Sequence, residues 1–517
     1  MMKEKAIKYF YILLIVNTII RFFIAFFTNL GIDEAYYFAY GLRLEWSYFD
    51  HPPMIALLVR ASSFISSNFS AIELRALPLI IGTLNLLLIF HIGKIIKDSM
   101  TGLYAALLFS ASFYGSLISG TFVLPDNPLT FFWLLSLLFG VKFFYAEKRR
   151  WQYLYFFALA AGLAFLSKYS ALALWFGILC IALKIKKLAL LKHAHLYLAG
   201  ILSLVLFLPV LVWNANNDFA SFSFHGNRLS ISDIKLHFDY FASELAGQIF
   251  YNNPINIVIM ISCLVYFFRH KNDFDKTLTQ WLLFTGLPVI FAALIISLFN
   301  RTLPHWSGPA YLSLIIFSAL TLRTKFGDDS KKPIRLGIIS QAFFGLIIVL
   351  GLLQINLGFI NPSPNNNEEK LGKNDISLDM YGWQQAAQQT SEMIISDQKS
   401  GTVGKDPVLI THNWFPAGHI EFYLANPLKM KLYVWGPPEK SHQYMHINKW
   451  RGMIAQNSDA YYITTSRYFA APDQNLLDHY NSLGDRTIIP ITRNNKTVYN
   501  VFIYRLKDAK SAISIND

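Results

Sequence analysis

Two short acidic segments near the N-terminus carry residue types suited to proton and phosphate chemistry. One is Asp33-Glu34; the other is Asp50-His51, directly before Pro52-Pro53. Both sit beside apolar stretches, and a carboxylate at the lip of a membrane bundle is costly to desolvate unless it does something there. The chemistry it suits is proton removal from a hydroxyl that displaces a lipid-linked phosphate.

Further polar groups recur along the chain: Asp126 within Pro125-Asp126-Asn127-Pro128, Lys168, Arg228, Arg301 and His305. Lys168, Arg228, Arg301, His51 and His305 are candidates to hold a departing phosphate, because fixed cations stabilise the charge that develops on it. Each could instead reach out to lipid head groups. Lys168 is the most informative, lying between two apolar runs with few polar neighbours. Asp50 and Asp126 precede prolines, in turns that fix backbone direction. They could steer an acceptor, coordinate a divalent cation, or be solvated turn residues. A cation held by Asp33 and Asp126 would be Mg²⁺ or Mn²⁺, since both prefer oxygen. Asp33 reads as a general base or as the cap of a helix over 35–44. Glu34 reads as its orienting or proton-sharing partner, or as a partner of Arg43.

The elements that must position these groups are mostly apolar. The 517 residues are 54% hydrophobic and 15% charged, with a mean hydropathy of +0.36, which is wrong for a soluble enzyme. Apolar segments fall near 9–28, 73–96, 101–120, 128–146, 152–167, 170–184, 195–213, 248–268, 279–299, 306–322 and 334–358. This predicts about eleven membrane helices, each near the roughly 20 residues a crossing needs. The piece 52–66 reads as a partly embedded helix. The first segment follows Lys3, Lys5 and Lys8 but lacks a small-residue cleavage site, so it reads as an uncleaved helix.

The net charge of +13 suggests nucleic acid at first sight, but the tail from Pro362 onward holds 16 Lys and Arg against 15 Asp and Glu. The excess lies in alternate loops, around Lys94, Lys97, Lys148–Arg150, Lys184–Lys187, Arg269–Lys276 and Arg323–Arg335. Those loops are expected in the cytoplasm. The acidic segments, Asp126, Lys168, Arg228, Arg301, His305 and the tail then share the outer side. Cys180 and Cys263 both lie in apolar runs, which excludes a disulfide framework. His412, His419, His442 and His446 lack zinc spacing and read as surface residues.

Beyond Asn361 the composition changes. Short apolar runs at 407–411, 428–435, 460–464 and 498–504 read as strands, and 416–424 as a helix. The expected organisation is an α-helical polytopic membrane domain over 1–358, with an outer loop of amphipathic helices at 29–72. A linker at 359–378 and a soluble α/β domain at 379–517 follow.

The order of these motifs resembles the GT-C glycosyltransferases. The closer resemblance is to the bacterial branch related to protein O-mannosyltransferases and to the transferase that adds aminoarabinose to lipid A. It rests on the acidic pair after the first helix, Tyr48-Phe49-Asp50-His51-Pro52-Pro53, Leu124-Pro125-Asp126-Asn127-Pro128, 162–168 and Leu303-Pro304-His305-Trp306. The tail segments Asp379-Met380-Tyr381-Gly382-Trp383 and 418–423 add to it. The resemblance implies a GT-C fold and transfer of a sugar from a polyprenyl-phosphate donor to a lipid, glycan or protein acceptor. It implies Asp33 as the catalytic residue, and a bacterial inner membrane with the site facing the periplasm. One departure is visible. Aminoarabinose transferases carry Glu-Lys before the Pro-Pro pair, whereas Asp50-His51 stands here, so that sugar is not implied. The absence of a Gly-rich phosphate loop argues against a nucleotide-sugar donor. The rival reading, a transporter or flippase of lipid-linked sugars, calls for internal repeats and deep ionisable groups.

Overall fold

The computed structural model describes residues 2–62, 70–184, 188–229, 235–328, 330–362, 367–404 and 406–515. The end of the expected embedded helix (63–66), part of the linker (363–366), Lys186 and Lys187 lie outside that set. The chain forms two compact units. One comprises Met1–Phe23, Glu45–Leu58 and Arg75–Ile348; the other comprises Ile24–Leu44, Val59–Leu74 and Val349–Asp517.

The first unit is helical, and each apolar segment predicted within it contains a helix. Six helices among the described residues are long and apolar enough to cross a membrane: Glu4–Phe27, Ala76–Ile96, Asp126–Tyr145, Ala194–Asn216, Lys276–Ser297 and Lys332–Leu357. Their outer faces carry rows of exposed apolar side chains, such as Leu198, Ile201, Leu204, Val205 and Leu208. Such rows are stable against acyl chains, where helices satisfy their own backbone polar groups. The chain is a multi-pass membrane protein. Its inner faces bury one large core, including Trp133, Leu137, Phe157, Trp281 and Phe317.

Two predicted spans are broken. The segment 248–268 is split into Phe238–Tyr251 and Pro254–Arg269, bent by 95°. Asn253 makes the corner with φ of 70°. Its Nδ2 donates to the Ala111 and Ser340 carbonyls, and its Oδ1 accepts from the Ile255 N–H, all at 3.0 Å. Pro254 then starts a helix at a position where no N–H is needed. The segment 101–120 is split into the helix Ser99–Ser110 and a π-helical turn at Tyr114–Ile118. Such turns are wider than α-helix and often mark working sites.

The second unit contains the helix Ile32–Leu42 and a six-stranded sheet: β1 Val408–Thr411, β2 Leu432–Val434, β3 Ala460–Thr465, β4 Tyr480–Leu483, β5 Thr487–Arg493 and β6 Lys496–Ala509. The order is β2-β1-β3-β6-β4, with β5 also on β6. β1 pairs parallel with β2 and β3, while β6 pairs antiparallel with β3, β4 and β5. One face buries Ile410, Tyr433, Tyr462, Phe502 and Leu506 as a separate core.

Candidate active site

In the first unit the polar groups converge on Asp126 and Lys168. Asp126 opens the helix Asp126–Tyr145 behind Pro125. Lys168 follows the helix Arg150–Phe165 in extended backbone, φ −161° and ψ 139°. Its Nζ donates to both Asp126 oxygens, at 3.0 and 2.9 Å, and the Tyr114 hydroxyl donates to Oδ1 at 3.0 Å. The two side chains are only 11% and 4% exposed. A pair so buried is held together by mutual need, because removing one partner strands the other's charge. Gly308 makes room for the Tyr114 ring that reaches Asp126: a Cβ there would lie 2.0 Å from Cε2 of Tyr114.

Asp50 and His51 reach the same cluster through backbone bonds. The His225 Nε2–H donates to the Asp50 carbonyl at 2.9 Å. The Tyr48 N–H donates to the His51 carbonyl, and the Met54 N–H to the Leu166 carbonyl, each at 3.1 Å. This ties the Pro-Pro turn to the residues just before Lys168. Burial holds the His51 imidazole well below the usual histidine range, and His225, Lys168, His305 and Arg228 push the same way. Burial lowers His225 and His305 to about 4. All three rings are therefore neutral near pH 7 and offer N–H groups rather than charge, which leaves Lys168 and Arg228 as the fixed cations.

A pH prediction follows. In the unfolded chain these histidines take up protons near pH 6.5; in the folded chain His225 and His305 do so only near pH 4, and His51 is likewise held well below its usual range. Their contribution to stability is complete above pH 6.5 and is lost as pH falls from 6.5 toward 4. Thermal unfolding in detergent should show a Tm that drops across that window, and His225→Asn should flatten the drop.

The structure thus gathers Asp50, His51, Asp126, Lys168, Arg228 and His305 in one unit, linked by contact or mutual electrostatics. The Arg228 guanidinium lies over the Phe224 ring at 4.2 Å. Arg301 is exposed, whereas its neighbour Thr302 donates to the buried Glu244 at 2.8 Å. Tyr114, His225 and Glu244 were not singled out from sequence. A tyrosine at a helix end is commonplace, and only the proximity of His225 to Arg228 could have drawn attention to it.

Asp33 and Glu34 belong to the second unit, in the first turn of the helix Ile32–Leu42. The cap expected of Asp33 is made by Glu34, whose Oε2 accepts the Gly31 N–H at 2.9 Å. Arg43 lies over the Trp450 ring at 5.5 Å. The surface reading of the tail histidines is corrected: His419 is fully buried, and His442 and His446 are each 8% exposed. Aromatic neighbours, invisible in a one-dimensional spacing, surround His419 and His442.

Among the described residues no three His, Cys, Asp or Glu side chains gather as a metal site. Both Asp126 oxygens face the Lys168 ammonium, which stands where a divalent ion would need open oxygen ligands. A metal does not fit at Asp126 in this arrangement.

The family model described as dolichyl-phosphate-mannose-protein mannosyltransferase matches residues 50–213, the stretch that holds Asp50, His51, Asp126 and Lys168. The lipid A galacturonosyltransferase RgtD of Rhizobium johnstonii is 24% identical over 380 residues, covering 72% of this chain and 76% of RgtD. ArnT from Cupriavidus metallidurans, solved bound to undecaprenyl phosphate, is similar with a TM-score of 0.63 at 14% identity, over 96% of this chain and 98% of ArnT. Its apo form gives 0.62 at 14% identity, over 97% and 98%. The helical unit with its buried polar cluster, the sheet-bearing unit and these likenesses agree: the chain has an ArnT-like GT-C fold and is similar to membrane glycosyltransferases related to the O-mannosyltransferases.

Proposed function

We propose that the protein transfers a sugar from a polyprenyl-phosphate donor to a hydroxyl of a lipid, glycan or protein acceptor at the outer face of a bacterial inner membrane. Asp33 takes the acceptor proton as the acceptor oxygen bonds to the anomeric carbon. The bond from that carbon to the phosphate oxygen breaks, and its electron pair leaves with the prenyl phosphate. Lys168 and Arg228, with Arg301, supply positive charge to that phosphate, and His51 and His305 supply N–H donors. Asp50 steers the acceptor, Asp126 holds Lys168 in place, and Glu34 orients the turn that carries Asp33.

The observation that carries this reading is the buried Lys168 ammonium, held by Asp126 among Arg228 and neutral histidines. A buried ammonium that gives two N–H groups to one carboxylate has a third to offer an incoming anion. The likeness to ArnT bound to undecaprenyl phosphate supports a prenyl phosphate as that anion. The test is to supply synthetic prenyl-phospho-sugars to the protein in liposomes and follow the donor by mass spectrometry. Cleavage of the sugar–phosphate bond supports transfer. Movement of intact donor across the bilayer without cleavage would point to the flippase.

Because Lys168 fills the cation role at Asp126, turnover should not depend on a divalent ion there. EDTA treatment followed by assay in metal-free buffer should change the rate less than twofold. A loss restored by Mg²⁺ or Mn²⁺ would return a metal to the mechanism.

A further inference from the structure

The two tail motifs, 379–383 and 418–423, have no part in that chemistry, yet both close on Asn29 and Leu30, just before the Asp33 helix. The Asn29 N–H donates to the Met380 carbonyl at 3.0 Å, and the Trp383 N–H donates to Asn29 Oδ1 at 3.0 Å. The Leu30 N–H donates to the Tyr423 hydroxyl at 2.8 Å. The Leu30 carbonyl accepts from His419 Nε2 at 2.9 Å. The segment just before the helix is thereby held by the two tail motifs at four points over two residues.

Those four points are themselves anchored. His419 stacks on Trp383 with ring centroids 4.0 Å apart and planes 17° apart. Burial pushes His419 down to about 3, so its ring is neutral and Nε2 can donate. Glu421, between His419 and Tyr423, is buried and accepts twice from the Arg451 guanidinium, both at 2.8 Å. Asp379 pairs with Arg467. The Gln443 N–H donates to the Tyr36 hydroxyl at 3.0 Å, one turn further along the helix. Gly418 lets the backbones meet: a Cβ there would lie 2.7 Å from the Tyr36 nitrogen.

We infer that His419 and Tyr423 are positioning residues for Asp33, acting through the Leu30 peptide. The inference rests on the reading of Asp33 as the base. A base works only when held within a fraction of an ångström of its target, and a displacement near 1 Å can cost about 10²-fold. The Leu30 peptide precedes Asp33 by less than one helical turn, so its direction sets that of the carboxylate. The C-terminal segments 379–383 and 418–423 are on this view part of the catalytic apparatus.

The test uses full-length protein in liposomes. Tyr423→Phe removes the hydroxyl but keeps the ring. It should lower kcat by roughly 10- to 100-fold, leave the donor KM within twofold, and speed amide exchange over residues 30–36. His419→Leu should act likewise, and His419→Gln, which keeps an N–H near Nε2, should recover most of the loss. Adding Tyr423→Phe to Asp33→Asn should cost nothing further, since the two act on one step. If Asp33→Asn abolishes turnover while Tyr423→Phe keeps both wild-type kcat and slow exchange at 30–36, the inference falls alone. If Asp33→Asn stays active, the base assignment falls, and the catalytic role of His419 and Tyr423 falls with it. Should His419→Leu fail to fold, Tyr423→Phe decides the matter.

Discussion

Asp33→Asn is expected to lower turnover by roughly 10²–10⁴-fold, the range that a placed general base contributes, with little change in fold or in donor affinity. The amide is nearly isosteric with the carboxylate but cannot accept a proton at neutral pH. The fold should tolerate the change because the helix cap does not depend on Asp33: the Gly31 N–H is held by Glu34, and the preceding turn by Tyr423, His419, Trp383 and Met380. The donor should still bind, because the charges proposed to hold its phosphate lie in other side chains. Glu34→Gln makes the informative companion. It keeps an oxygen to accept the Gly31 N–H, so it should retain far more activity than Asp33→Asn. Single-turnover kinetics with saturating donor would separate the two. Equal losses from both substitutions would mean that the acidic pair shares one proton and that neither residue alone is the base.

How much of this was legible beforehand depends on the range of the interactions. Helices were legible because twenty apolar residues in a row have few other fates, and even the short stretch 152–167 is a helix, Arg150–Phe165. The corner at Asn253 was not, because three hydrogen bonds and a proline outweigh apolarity, and two of those bonds reach residues 142 and 87 positions away. In the tail, β1, β2, β3 and β6 were visible as apolar runs. β5 contains Pro490, and β4 is short and mostly exposed, so neither carries the usual signal. An edge position on β6 is what tolerates that proline. Lys168 was recognisable from its apolar neighbours and Asp126 from its proline-flanked turn, whereas their pairing across 42 residues was not. His419 is the sharpest case. Nothing in the spacing of four histidines indicates which one will be enclosed by Trp383, Phe415 and Tyr423.

The Asp126–Lys168 pair gives the second large effect, and it separates folding from function. Lys168→Met should destabilise the helical unit by about 3–5 kcal/mol, because it leaves the Asp126 carboxylate buried with only the Tyr114 hydroxyl. Asp126→Asn should do comparable damage by stranding the ammonium. Putting both changes in one chain removes both charges, and replacing a buried pair by neutral groups is often close to neutral in stability. Detergent melts should therefore find the double variant nearer to wild type than either single variant. Activity should behave differently. If Lys168 supplies charge to the departing phosphate, restored stability cannot restore it, and the double variant should stay at least about 10²-fold down, the scale of losing one preorganised stabilising group. The donor KM should rise as well, since the same charge attracts the ground-state phosphate. Recovery of turnover together with stability in the double variant would reduce the pair to a structural clamp between the helices Asp126–Tyr145 and Arg150–Phe165, and the phosphate would then have to rely on Arg228 and Arg301.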